Sequence, residues 1–164
     1  MKRVCKMTAR TVFAAFLIIV SSCARSPTGA ADEAGLRALD AAYVDAWLTT
    51  EPSDQEKAVL ALFDRAAVIM PGGGLSPEVG IANLKNFWFP DGAPPTIVNH
   101  FTHDIAHTDI SGNLGVISGR YALSFTYENQ SIAQAGNYLI VAEHGVAGWR
   151  IRRMIWNDQP LTDV

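Results

Sequence analysis

The chain has 164 residues, 49% of them hydrophobic and 18% charged, with 13 basic against 16 acidic side chains. That length and apolar fraction suit one globular domain with a sizeable core. A net charge of −3 with no long basic run excludes the positive groove that nucleic-acid binding requires.

Residues 1–22 form a separate segment. Lys2, Arg3, Lys6 and Arg10 make a basic start, and Val12 to Val20 is an unbroken apolar run, too short to span a bilayer as a helix. Val20-Ser21-Ser22-Cys23 follows. This pattern resembles the lipobox of bacterial lipoproteins, which implies cleavage before Cys23 and acylation of its thiol. An ordinary secretory signal with a coincidental cysteine is the alternative. On the lipoprotein reading, acyl chains hold the domain to a membrane of the cell envelope. In a diderm host, Ala24 after the cysteine implies the periplasmic side of the outer membrane. Cys5 leaves with the signal and Cys23 carries lipid, so the mature domain has no disulfide. It keeps nine of the 13 basic residues and all 16 acidic ones, a net charge of −7.

Residues 23–31 lack periodicity and read as a lipidated tether. The domain proper is expected over 32–160, with a tail at 161–164. From Asp32 to Thr49, Leu36, Leu39, Tyr43, Ala46 and Trp47 recur at helical spacing. Pro52 ends that helix. Ser53 and Glu56 have capping-box spacing and start a second, with Val59, Leu60, Leu62 and Phe63 as its apolar side. Ala66 to Met70 predicts a short strand, and Pro71 with three glycines turns the chain. Ile81, Leu84, Phe87 and Trp88 predict a third helix, stopped by Pro90-Asp91-Gly92. Four long strands follow, Thr96–Thr108, Leu114–Tyr127, Ile132–His144 and Trp149–Asn157, joined by hairpin-length links. Helices first and strands after is an α+β plan. A mostly antiparallel sheet this long should curve strongly around the helices.

Alternation assigns the faces. In the second long strand Tyr121, Leu123, Phe125 and Tyr127 should face inward. In the first, Ile97, Phe101 and Ile105 share a face with Asn99, His103 and His107. In the last, Trp149, Ile151, Arg153, Ile155 and Asn157 form the more apolar face. Arg153 there needs either a carboxylate partner or a cavity. Arg150, Arg152, Met154 and Trp156 would then lie on the convex face, where an exposed Trp and Met point to a covered patch. His103 and His107 stand roughly 13 Å apart on a strand, and His100 points the other way, so no metal site is expected. His103 is either a satisfied core histidine or a pocket acid or base. Asp40 and Asp45 do not lie clearly on the apolar helix stripe. Trp88, Tyr121 and Phe125, with Met70, are candidates for an apolar pocket wall.

Three stretches carry a family resemblance: Tyr43-Val44 on the first helix, Ala61 to Pro71 leading into the first strand, and Gly148-Trp149-Arg150-Ile151 closing with Ile155-Trp156-Asn157-Asp158. Together they resemble the nuclear transport factor 2-like, or SnoaL-like, superfamily. The resemblance implies a cone-shaped pocket closed by helices and frequent pairing through the outer sheet face. Within that superfamily, ketosteroid isomerase uses a helix-borne Tyr as oxyanion donor, which Tyr43 matches. Its general base is an Asp before a Pro, where this chain has Met70 before Pro71; a thioether cannot take that proton. Its second donor is a strand Asp, and Asn137 is the match within about one residue.

These residues leave three readings open. The chain binds a small, partly apolar molecule without chemistry, through Tyr43, Met70, Trp88, His103, Tyr121, Phe125, Asn137, Arg153 and Asn157. Or it is an isomerase, cyclase or hydrolase with His103 as base beside Tyr43. Or it is a non-catalytic dimerisation module. No cofactor is expected. The partners expected are an unidentified small molecule, a membrane through the acyl chains, and a second copy in a homodimer, with no nucleic acid.

Overall fold

The computed structural model describes residues 28–159. The expected signal segment 1–22, the expected acylation site Cys23 and the expected tail 161–164 lie outside the described residues. Helix α1, Thr28–Trp47, begins four residues inside the expected tether. Its buried stripe is Leu36, Leu39, Asp40, Tyr43, Ala46 and Trp47. Buried Gln55 donates to the carbonyls of Trp47, at 2.7 Å, and Thr49, at 3.2 Å, so orphan acceptors at the helix end are satisfied from the next helix. That helix, α2, spans Pro52–Ala61. Its N-cap is Glu51 rather than Ser53, and no side chain caps it: Pro52 fixes the first turn instead. Helix α3 spans Ile81–Trp88.

The strands are β1 (Phe63–Met70), β2 (Glu78–Val79), β3 (Ile97–Ser111), β4 (Leu114–Tyr127), β5 (Gln130–Gly145) and β6 (Gly148–Asp158). They form one sheet in the order β2-β1-β6-β5-β4-β3. Only β1 and β6 run parallel; the other neighbours are antiparallel. The architecture is the expected α+β plan with a curved, mostly antiparallel sheet. The β4–β5 hairpin turns on Glu128 (φ 49°) and Asn129 (φ 62°), the left-handed pair that a two-residue turn of matching twist requires. Inward residues of all three helices and of every strand but β2 fuse into one core, with Leu36, Ile69, Leu84, Ile117, Ile140 and Ile151 almost fully buried.

Three bulges set which side chains face inward. In β6, Ile151 pairs with Ala142 and Arg153 with Val141, so Arg152 is an extra residue. An extra residue inverts the alternation beyond it. Trp149 and Ile151 face inward before the bulge; Met154, Trp156 and Asp158 do so after it. Arg153, Ile155 and Asn157 therefore stand on the outer face, contrary to the simple period-two reading. Of the two settings weighed for Arg153, a cavity or a carboxylate partner, neither is found among the described residues: its guanidinium donates to the Arg152 carbonyl at 2.7 Å. Arg152 is the ion-paired residue, with Glu143 and, at 3.8 Å, Asp64. In β3, Asn99 and Ala106 are the extra residues. Val98, Phe101 and His103 consequently share the inner face, and His107 turns outward opposite Ser118.

Candidate active site

A cavity of about 350 Å³ opens between the helices and the concave sheet. That is within the range of small-molecule sites. Its walls are largely aromatic. Trp47 from α1 meets Trp88 from α3 edge-on at 5.6 Å, and Trp88 lies nearly parallel to Trp156 of β6 at 6.3 Å. Phe87, Phe101, Leu123 and Phe125 extend the apolar lining. No Lys or Arg lines it among the described residues.

The floor is polar and buried. His103 Nδ1 lies 2.8 Å from Asp40 Oδ1, and the two side chains are 2% and 4% exposed. A carboxylate only accepts, so Nδ1 carries the shared proton, and in the neutral imidazole Nε2 is then an acceptor. No hydrogen bond to Nε2 is found among the described residues. The imidazole stacks on the Tyr138 ring, with centroids 3.7 Å apart, and meets Phe101 edge-on at 4.9 Å. Its orientation is thus fixed by packing on both sides as well as by Asp40. Tyr43 lies 5.7 Å from the imidazole, ring centre to ring centre. Burial raises the Tyr43 hydroxyl well above the usual tyrosine range. Burial, reinforced by the Asp40 charge, does the same for Tyr138. Both stay protonated and can act as donors at neutral pH. Among the described residues the Tyr138 hydroxyl is buried without a well-formed hydrogen bond, Asp40 being the polar group near it.

A second polar point lies on the strands. The Tyr121 hydroxyl donates to Asp158 Oδ1 at 2.5 Å. Tyr121, Gly136 and Asp158 are successive neighbours across β4, β5 and β6. A Cβ on Gly136 would overlap the Asn157 carbonyl and come within 2.9 Å of the Tyr121 ring. The glycine leaves the ring room to reach across to Asp158.

No protein-family model matches the sequence, and no curated protein does. Solved structures match by shape. A ketosteroid isomerase-like protein from Erwinia carotovora atroseptica superposes with a TM-score of 0.65 at 16% identity, covering 79% of this chain and 98% of that one. A nuclear transport factor 2-like superfamily protein from Salmonella enterica serovar Typhimurium gives 0.63 at 16% identity, over 82% and 96%. The chain has the nuclear transport factor 2-like fold. A Novosphingobium aromaticivorans protein, provisionally described as an aromatic ring hydroxylase, shares it with a TM-score of 0.65 at 22% identity, over 82% and 94%. At these identities the likeness carries the fold alone.

Within this nuclear transport factor 2-like cone, Tyr43, Trp88, His103, Tyr121 and Phe125 line the cavity. Met70 does not. It pairs with Ile155 on the outer face, while its neighbour Ile69 is buried inside. Asn137 is exposed between Arg120 and Asn157, and the inward residue one place along is Tyr138. Arg153 and Asn157 are excluded by the β6 bulge. Met154 and Trp156, expected on the convex face, line the cavity instead. Asp40, Tyr138 and Asp158 were not anticipated. Asp40 stands four residues after Leu36 and three before Tyr43, so helical spacing does place it on the buried stripe. Among the described residues no group of three or more His, Cys, Asp and Glu is placed to share a metal ion.

Proposed function

We propose that the chain is a cell-envelope domain, anchored through acylated Cys23, that holds a small, largely apolar molecule in the cone and exchanges a proton with it at His103. The observation that carries this reading is the buried Asp40–His103 pair at the floor of an aromatic cavity. For a ligand carbonyl at the floor, Nε2 would take a proton from the adjacent carbon while the Tyr43 hydroxyl donates to the developing enolate oxygen. Return of the proton from Nε2 to carbon completes an exchange or an isomerisation. An acidic ligand held by Arg153 is set aside, because that residue is on the other face.

The test is hydrogen exchange into flat bicyclic ketones in deuterated water, followed by NMR. Wild-type protein should accelerate exchange, and His103→Gln should lose roughly 10²–10⁴-fold. Equal rates in the two proteins, with the ketone bound, would leave binding without chemistry.

Anchoring is checked separately: Cys23→Ala should move the protein out of the membrane fraction and abolish labelling by a fatty-acid probe. The domain is further proposed to pair through its outer sheet face. There Met70, Ile155 and Leu139 lie side by side across β1, β6 and β5, with Val68 and Val141 flanking Arg153 in the next row. Ile155 is 43% exposed, an apolar patch that a second copy would cover. Light scattering on the acyl-free domain should give the dimer mass; a monomer at micromolar concentration would refute the pairing.

A further inference from the structure

Among the described residues Asp158 is the one carboxylate in the cavity lining, and no Lys or Arg stands there to balance it. Asp40 sits behind His103 at the floor, and Asp158 lies toward the end of β6 in the lining. Asp158 is only half engaged. Its Oδ1 accepts from Tyr121, and no donor or cation meets Oδ2 among the described residues. Oδ2 instead lies against Gly72, where an added Cβ would come within 2.8 Å. Trp156, two residues earlier on the same face of β6, stands beside this carboxylate, with Trp88 parallel to it. Aromatic faces carry negative potential, and a cation set against them and a carboxylate is attracted by both. A carboxylate ligand at this end would be repelled by Asp158 and, among the described residues, would meet no Lys or Arg in the lining.

We infer that the cavity selects a cationic amine on an apolar or aromatic body, the ammonium being held by Asp158 Oδ2 beside the Trp156 ring. This rests on the proposal that the cone is a ligand site, and it names the ligand's charge. The amine binds at the Asp158 end, and the body fills the aromatic wall toward His103.

The experiment uses a matched pair: phenyltrimethylammonium and its neutral isostere tert-butylbenzene, with benzoate as the anion. Binding is read by fluorescence of the cavity tryptophans. Wild-type protein should bind the cation at least about tenfold more tightly than the isostere and benzoate least. Asp158→Asn should bring cation and isostere together while leaving the isostere unchanged. Tyr121→Phe frees Oδ1 and should hold or widen the preference, so loss of preference in both variants would indicate mere disturbance of the rim and overturn the assignment. Equal binding of the pair by wild type also overturns it, with the cavity still a ligand site. Failure of every probe to bind removes the cavity reading itself. The outcome of the His103→Gln exchange test changes none of these ratios.

Discussion

Asp40→Ala should lower the unfolding free energy by about 3–5 kcal/mol, the range for removing one partner of a buried pair. The loss has two sources. The His103 Nδ1–H, 2.8 Å from its acceptor and shut away from water, would have nothing to donate to. The space left beneath Tyr43 and Tyr138 is closed by rings that pack on His103 and cannot easily follow. Asp40→Asn keeps an acceptor for the imidazole and should cost far less. It should still slow proton exchange into a bound ketone, because a neutral amide stabilises an imidazolium poorly. Urea unfolding and exchange rates on both variants separate the structural from the chemical share. An Asp40→Ala protein within 1 kcal/mol of wild type would show that the pair carries little of the fold.

Gly136→Ala is expected to be the second most damaging change, at about 3 kcal/mol, the upper end of overpacking costs. The new methyl group would collide with the Asn157 carbonyl, which is held in the ladder and cannot retreat. It would also push the Tyr121 ring off its path to Asp158. Gly145→Ala is the control on the same strand. Nothing lies within 4 Å of its added Cβ, so stability should change by less than about 0.5 kcal/mol. Equal effects at the two positions would mean that β5 and β6 separate freely at that end of the sheet.

Much of this architecture was legible in the sequence because its signals are periodic. Leu36, Leu39, Tyr43 and Trp47 mark a helix face, and Tyr121, Leu123 and Phe125 mark a strand face, whatever their neighbours do. The bulges were not legible. Arg152, Asn99 and Ala106 carry no residue-type signature, and each becomes an extra residue only through pairing with a distant strand. One unseen insertion in β6 moved Arg153 and Asn157 out of the site and brought Asp158 in. Asp40 was missed for another reason. An acidic residue on a helix is solvated by default, and its partner His103 is 63 residues away.

The single parallel pairing bears on when the chain can fold. β1 has two neighbours: β2, which is two residues long, and β6, which comes last in chain order among the strands of the sheet. During vectorial synthesis most of β1 must wait for its main-chain partners until Gly148–Asp158 has emerged, because β2 pairs only Val68 and Ile69. The stripe of α1 waits as well, since the strands it covers all come later. The β3–β4 and β4–β5 hairpins can form early from local contacts, whereas the N-terminal third cannot settle alone. Such a chain remains open until the last strand of its sheet arrives.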